Sequence, residues 1–231
     1  MFEISPTEWT AILLSLRVAI IATLVATPFG IALAWLLARR NFWGKSILDA
    51  AVHLPLVLPP VVTGYLLLLT FGRRGLVGAW LADHLGIVFA FRWTGAALAC
   101  GLMSFPLLVR PIRLSIEAID RRLEQASSTL GAAPWQVFAT VTLPLALPGV
   151  LAGMVLGFAK AIGEFGATIT FVSNIPGETQ TISSAIYSLI QTPDGDAAAG
   201  RLVLISIVIA MSALIASEWF ARRATQRLHG N

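Results

Sequence analysis

Five long apolar stretches, separated by shorter polar segments, dominate this chain. They cover residues 9–38, 47–71, 93–109, 146–172 and 202–220. A helix that crosses the hydrocarbon core of a bilayer needs about 20 mostly apolar residues, and these stretches come close to or exceed that length. Backbone groups find no water partner in lipid, so the stretches must be helical. The sequence therefore predicts an all-α integral membrane protein with five transmembrane helices.

The composition agrees with this prediction. Only 12% of the residues are charged and 57% are hydrophobic, whereas a soluble domain carries about 25% charged residues. The single cysteine, Cys100, excludes a disulfide framework or a cysteine-based metal site within one chain. The first eight residues contain two acids and no base, unlike the basic start of a secretory signal peptide. We therefore expect the first stretch to remain as a membrane anchor.

The positions of the basic residues predict the orientation of the chain. If five helices span the membrane, one side holds ten of the 16 Lys and Arg residues and the other holds four. The larger set should lie in the cytoplasm, which places the N-terminus in the periplasm and the C-terminus in the cytoplasm. The basic excess then needs no nucleic acid to explain it. The larger set comprises Arg39, Arg40, Lys45, Arg110, Arg113, Arg121, Arg122, Arg222, Arg223 and Arg227.

Two further segments should lie outside the membrane core on the periplasmic side. Residues 76–91 mix apolar with polar side chains and fit an interfacial or re-entrant helix, or alternatively part of a sixth span. Residues 173–200 form the second external loop, whose centre, 182–191, is compatible with a short helix. The charge distribution favours five spans over six.

The loop 110–145 is too long for a simple helix connection, which needs only 2–8 residues. Its first half carries apolar residues at helical spacing, and Gly131 is placed to end that helix in a left-handed cap. Pro134 then suits the first turn of a second short helix, which we expect to end at residues 142–144. The predicted helix–turn–helix has an apolar face for a partner, formed by Ile112, Ile116, Ile119, Leu123 and Ala126.

Two of the predicted spans contain residues that disturb a plain membrane helix. Pro55, Pro59 and Pro60 interrupt the second span, which should be broken or kinked with its prolines facing protein. Lys160 and Glu164, four residues apart in the fourth span, should form an intramembrane ion pair, within the chain or with a second subunit. The glycines of this span suit close helix packing, for example at a dimer interface: Gly153, Gly157, Gly163 and Gly166.

Features of an enzyme are missing from the sequence. Gly44-Lys45-Ser46 imitates the end of a phosphate-binding loop, but position 39 is Arg where that motif requires Gly. The three histidines, His53, His84 and His229, lie in different segments and suggest no metal site. We expect neither a catalytic residue nor a cofactor on this chain. An intramembrane enzyme and a passive channel remain as alternatives to a transport subunit.

The loop 110–145 resembles the "EAA" loop of binding-protein-dependent importer permeases of the ATP-binding-cassette type. The family pattern is Glu-Ala-Ala, three residues, Gly, nine residues, Ile, one residue and Leu-Pro. The matching positions here are Gln125-Ala126-Ser127, Gly131, Val141 and Leu143-Pro144. Gln125 and Ser127 depart from the pattern, and Glu124 stands beside the missing acid. The resemblance implies that this loop couples to an ATPase subunit through Glu124, Gln125, Ala126, Ser127, Gly131, Ala132, Pro134, Val141, Leu143 and Pro144.

The run 163–182 and the run 54–65 resemble the molybdate branch of this family, with sulfate and thiosulfate permeases as neighbours and tungstate as a further alternative substrate. The resemblance implies a single type I permease domain over residues 1–231, with a core of about 9–220. It also implies a homodimer in the inner membrane, two subunits that bind ATP and Mg, and a periplasmic oxyanion-binding protein. Candidate residues for the pathway or its outer gate are Pro59, Pro60, Thr63, Thr168, Thr170, Ser173 and Asn174.

Overall fold

The computed structural model describes residues 4–229, without the side chains of residues 217, 218 and 220–229. The side chains of Arg222, Arg223, Arg227 and His229, and residues 1–3 of the N-terminal segment, therefore lie outside the described residues. Within the described part the protein consists of helices and their connections, which confirms the all-α prediction. The helices are α1 (Pro6–Arg39), α2 (Lys45–Val57), α3 (Pro60–Phe71), α4 (Leu76–Leu85), α5 (Trp93–Glu117), α6 (Arg121–Thr129), α7 (Pro134–Val137), α8 (Leu143–Ile162), α9 (Gly166–Val172), α10 (Ile182–Leu189) and α11 (Asp196–His229).

Four helical segments of the described chain are long and apolar enough to cross a membrane. They are Pro6–Arg39, Trp93–Glu117, Pro134–Ile162 and Asp196–Ala216. Helices α2 and α3 together pass the same test but meet at an angle of 113°, so they form either a broken fifth span or a re-entrant loop. The sixth-span alternative for residues 76–91 is wrong, because α4 has only 10 residues and a spanning helix needs about 20.

Two of the helices differ in extent from the predicted spans. The third predicted span continues eight residues beyond position 109, so that Arg110 and Arg113 lie on α5 and not in the following loop. The fourth predicted span, 146–172, is two helices: α8 ends at Ile162 and α9 starts at Gly166. Within the mostly apolar stretch 146–172, the residues at this break that differ from a plain membrane helix are Gly163, Glu164 and Gly166.

The core lies where α5 packs between α1 and α8. Glycines of α8 allow this approach: a Cβ on Gly153 would lie 2.5 Å from the Leu108 backbone oxygen, and one on Gly149 would lie 2.7 Å from that of Pro111. Gly157 also faces Leu108. Of the glycines predicted to allow close packing, Gly153 and Gly157 thus pack α8 on α5 within one chain, because small residues let two backbones approach closely in a membrane.

Helix α1 is longer than a bilayer requires. Its 34 residues give a length of about 51 Å, against about 30 Å for the hydrocarbon core. Its N-terminus is fixed by a capping box, in which Ser5 Oγ accepts from the Glu8 backbone N–H and Ser5 N–H donates to Glu8 Oε2. The extra turns pack against α10 and the start of α11, and Ser15 Oγ accepts from the Ile182 backbone N–H at 2.7 Å. The predicted short helix in the outer loop is α10, and it is confirmed.

Candidate functional site

Helix α6 forms the first half of the loop 110–145. Asp120 caps its start by accepting from the Arg122 backbone N–H at 2.9 Å. Two backbone hydrogen bonds close its end: Gly131 N–H donates to the Ser128 carbonyl, and Ala132 N–H donates to the Ser127 carbonyl. This is a Schellman motif, and Gly131 supplies its left-handed residue with φ of +89°. Nothing lies within 4 Å of a Cβ added to Gly131, so glycine is favoured there by conformation and not by space.

The second half of the loop restarts at Pro134, as the sequence predicts. The Gln136 side chain accepts from the Ala133 backbone N–H at 2.7 Å and closes the first turn of α7. The prediction that this helix ends at residues 142–144 is wrong. A π-helical turn, Phe138–Thr142, joins α7 to α8, so Leu143 and Pro144 lie in the first turn of the membrane helix. A wider turn suits this position because Pro144 has no N–H for an ordinary helical bond.

Glu124 holds α6 against two membrane helices. Its carboxylate lies 3.0 Å from Arg39 Nε at the end of α1 and accepts from Thr142 Oγ1, at the start of α8, at 2.7 Å. Arg39 also donates to the Ile119 carbonyl at 3.3 Å. The two charged side chains are largely buried, with 9% of Arg39 and 17% of Glu124 exposed. Glu124 therefore points into the protein, whereas Gln125, which stands where the family pattern has Glu, is exposed.

The apolar face predicted for this loop is only partly buried. Ile112, Ile116 and Ile119 are in the core, but Leu123 and Ala126 are exposed. The most exposed apolar side chains of the loop lie around its turn, where 89% of Leu130 and 70% of Trp135 is accessible. Two large apolar side chains are therefore held exposed at a capped turn. Ser127, Ala132 and Val141 are half-buried.

The first helix break lies between α2 and α3, at Leu58 and Pro59. Proline removes backbone donors at positions 59 and 60, and α3 restarts with Pro60 at its first position. This confirms the predicted break in the second span. The expectation that the prolines face protein holds within this chain only for Pro55, which is buried. Pro59 and Pro60 are exposed.

The second break lies between α8 and α9, at residues 163–165. Glu164 occupies the gap: one carboxylate oxygen accepts from Lys160 Nζ at 2.6 Å, and the other accepts from the Ala167 backbone N–H at 3.0 Å. The predicted ion pair thus forms within one chain. Glu164 is buried while 30% of the Lys160 side chain is exposed. The acid therefore neutralises a lysine and also caps the N-terminus of α9.

Helices α3 and α9, which follow the two breaks, pack closely on each other. A Cβ on Gly64 would lie 2.5 Å from the Ala167 carbonyl oxygen, and one on Gly166 would lie 2.7 Å from Pro60 Cβ. The structure thereby brings two predicted pathway segments together, since α3 contains Thr63 and α9 contains Thr168 and Thr170. It separates the remaining two, because Ser173 is exposed after α9 and Asn174 bonds α10 through Ser188 Oγ.

The predicted hydroxyl donors of this region are mostly occupied. Thr168 donates to the Phe165 carbonyl and Thr170 to the Gly166 carbonyl, both on their own helix. Thr63 differs, since it is buried and its hydroxyl has no hydrogen-bond partner among the described residues. The described residues contain no group of three metal-ligating side chains.

The described part of the chain is thus a bundle of long apolar helices that is interrupted at two places, between α2 and α3 and between α8 and α9. Residues 26–226 match the family described as binding-protein-dependent transport system inner membrane component. The chain belongs to this family and is a multi-pass protein of the inner membrane.

Similar proteins within this family are permeases of molybdenum and sulfate transport systems. The chain is 61% identical over 220 residues to the molybdenum transport system permease protein ModB of Escherichia coli K12, covering 95% of this chain and 96% of that protein. It is 57% identical to the ModB protein of Haemophilus influenzae, over 96% of both chains. A probable sulfate transport permease of Chlorella vulgaris, cysT, is 36% identical over 87% of this chain and 76% of its own length.

Solved structures confirm the fold. A bacterial importer of the acidic polysaccharide alginate superimposes with a TM-score of 0.75 at 20% identity, covering 96% of this chain and 81% of that one. The MetNI methionine transporter superimposes with a TM-score of 0.68 at 15% identity, covering 96% of this chain and all of that one. Both are ABC transporters, so the type I importer permease fold that the sequence predicts is confirmed.

The sequence did not predict that Arg39 and Thr142 anchor the loop. Arg39 was interpreted as one of the charges that set the orientation of the chain, and Thr142 as the end of a short helix. Arg39 is 85 positions from Glu124, and a single sequence carries no signal for a pair so far apart.

Proposed function

We propose that this chain is the permease subunit of an ATP-driven importer that carries molybdate across the inner membrane. The substrate is supported by two relatives named molybdenum transport permeases, which are 61% and 57% identical to this chain over nearly its whole length. Sulfate is the substrate named for a relative of only 36% identity. Molybdate is therefore preferred over sulfate, thiosulfate and tungstate.

The observation that carries the coupling role is the attachment of α6 through Glu124. This carboxylate contacts both Arg39 of α1 and Thr142, the residue before α8. A force applied to the exposed turn at Leu130 would therefore be transmitted to two membrane helices. A separate ATPase subunit, which binds ATP and Mg, would supply that force. In this arrangement the loop faces the cytoplasm.

A pathway between two copies of the chain is supported by the exposed residues at the break between α2 and α3. Pro59 and Pro60 are exposed there, together with 80% of Val57. A second copy that covered this region would place both breaks beside the path, and the Lys160–Glu164 pair would leave no unpaired acid to repel an oxyanion. The candidate gate then comprises Thr63, Thr168 and Thr170, with Ser173 and Asn174 towards the outer end. A periplasmic oxyanion-binding protein would deliver the substrate.

Uptake of labelled molybdate tests the proposal in cells that lack their own molybdate permease but keep the matching ATPase and binding protein. Wild-type chain should restore uptake, excess unlabelled sulfate should not compete, and depletion of ATP should abolish it. Uptake that survives ATP depletion would instead identify a passive channel. Failure to restore uptake, or failure of the chain to co-purify with the ATPase, would contradict the permease function.

A further inference from the structure

A long apolar groove runs along the outside of the bundle between α1 and α5. It has a volume of about 470 Å³ and is lined almost entirely by carbon atoms. On α1 the lining residues follow one face at four-residue spacing, Ile21, Val25 and Phe29. On α5 they are Trp93, Ala97 and Gly101 at the same spacing. The two helices thus form the walls of a slot that opens sideways.

One end of the groove lies at the level of a membrane surface. Arg17 is 22 positions before Arg39 on α1, a separation of about 33 Å along the helix. The hydrocarbon core is about 30 Å thick, and Arg39 pairs with the polar helix α6 outside it. Arg17 must therefore lie at the opposite interface, where Trp93 also fits because tryptophan concentrates in interfacial belts.

The positively charged Arg17 side chain lies at the end of the groove that is near the membrane surface. The Arg17 guanidinium lies 3.8 Å from the centre of the Trp93 ring, and Arg17 is exposed. No carboxylate pairs with it among the described residues, in contrast to Arg39, Arg113 and Arg201. Stacking on a ring orients the guanidinium but leaves its edge N–H groups available for an anion, and phosphate is a preferred ligand of that fork.

The depth of the groove corresponds to one leaflet of the bilayer. From Arg17 to Phe29 is 12 positions, or about 18 Å along α1, against about 15 Å for half of the hydrocarbon core. An acyl chain lying in the slot would therefore reach from the interfacial cation to the middle of the membrane. A cationic head and an apolar slot of one-leaflet length are complementary to a phospholipid.

We propose that the groove between α1 and α5 is a binding site for one anionic phospholipid of the leaflet opposite the loop 110–145. Arg17, held over Trp93, binds the phosphate, and an acyl chain lies between Ile21, Val25 and Phe29 on one side and Ala97 and Gly101 on the other. The bound lipid fills a gap beside the core and stabilises the packing of α1 on α5.

Two substitutions separate the two halves of this site. Arg17→Gln removes the positive charge, and Arg17→Lys keeps it as a conservative variant. Gly101→Leu fills the slot, since the nearest atom to an added Cβ is the Ala22 oxygen at an ordinary 3.7 Å. Matched controls are Arg74→Gln, an exposed arginine elsewhere, and Gly200→Leu, where nothing lies within 4 Å of an added Cβ.

The measurement is native mass spectrometry of the full chain after reconstitution in equal amounts of phosphatidylglycerol and phosphatidylcholine. Wild type should retain phosphatidylglycerol in preference to phosphatidylcholine, and Arg17→Gln should lower that ratio about fivefold, the value of one basic residue at a membrane surface. Arg17→Lys and both controls should keep the wild-type ratio, and Gly101→Leu should remove the retained lipid.

Three results would overturn the proposal. The first is an unchanged lipid ratio in Arg17→Gln. The second is full lipid retention in Gly101→Leu. The third is a shift of Gly101→Leu towards smaller assemblies, because a second copy of the chain would then occupy the groove.

Discussion

The loops on the two sides of the membrane differ in where their apolar side chains lie. The loop 173–200, which the charge distribution predicts to be the outer loop, folds onto its own chain: Ile182 of α10 is buried against α1 and α11, and Glu8 and Arg201 form an ion pair beside it. The loop 110–145 is attached through Glu124, yet Leu130 and Trp135 remain exposed at its turn. Exposed apolar side chains on an anchored turn suit a docking surface, so we expect the loop 110–145 to bind a partner at this turn.

The largest effect on stability should come from the outer loop. Ile182→Ala removes a side chain that is only 1% exposed, and we expect a loss of about 2–5 kcal/mol in the free energy of unfolding. Thermal unfolding of purified protein measures this loss. The molecules that remain folded should still co-purify with the ATPase. Loss of ATPase binding in folded protein would show that the outer loop is not self-contained.

Glu124→Ala should affect both stability and coupling. It leaves Arg39 and Thr142 without their shared acceptor, at a cost of about 1–3 kcal/mol. Because α6 is then no longer joined to α1, ATP hydrolysis by the assembled complex should continue while molybdate uptake falls. A suitable comparison is Glu117→Ala, which breaks a more exposed pair with Arg113 and should cost less than about 1 kcal/mol. Equal effects of the two substitutions would contradict the role given to Glu124.

Gly131→Val tests the turn itself. A branched residue in the left-handed region costs about 1–2 kcal/mol, and the turn can avoid that cost by opening, which would displace Leu130. We expect weaker co-purification with the ATPase and normal insertion into the membrane. Gly131→Asn is the matched control, since asparagine tolerates this conformation. If Asn and Val behave alike, the left-handed conformation is not what the turn needs.

The smallest effect on stability should come from Leu130→Ala. An exposed side chain contributes within about 0.5 kcal/mol to folding, so the thermal unfolding temperature should not change. Uptake should nevertheless fall, because the residue is the most exposed apolar group of the loop. The comparison between the loops fails if Leu130→Ala unfolds the protein or leaves both uptake and ATPase binding intact.

Most of the architecture could be predicted from local patterns in the sequence. Long apolar runs gave the helical membrane class, three prolines gave the break after α2, and Gly131 with Pro134 gave the turn of the inner loop. Each of these features acts through neighbouring residues, by hydrophobic length, a missing backbone donor or a permitted dihedral angle. Such signals are readable in a single chain without knowledge of its partners in space.

The errors have a common physical origin. Residues 146–172 are mostly apolar, and their two charged residues were interpreted as an ion pair on one continuous helix, so the sequence did not show that the helix stops at Ile162 and that Glu164 caps a new one. Gly153 and Gly157 were predicted to allow close helix packing, for example in a dimer, and only the structure shows that they let α5 approach within the chain. In both cases the residue types were recognised correctly, but the neighbour that gives them their role lies on another segment.

The sequence by itself determined that this chain lies in a membrane, where its main helix break falls and which loop turns at a glycine, because these properties depend on residues adjacent in the chain. Only the tertiary structure decided which groups meet: Glu124 with Arg39, Gly64 with Ala167, and Arg17 with Trp93. The physical reason is that such contacts join helices far apart in sequence, and their energy depends on distances that only packing sets.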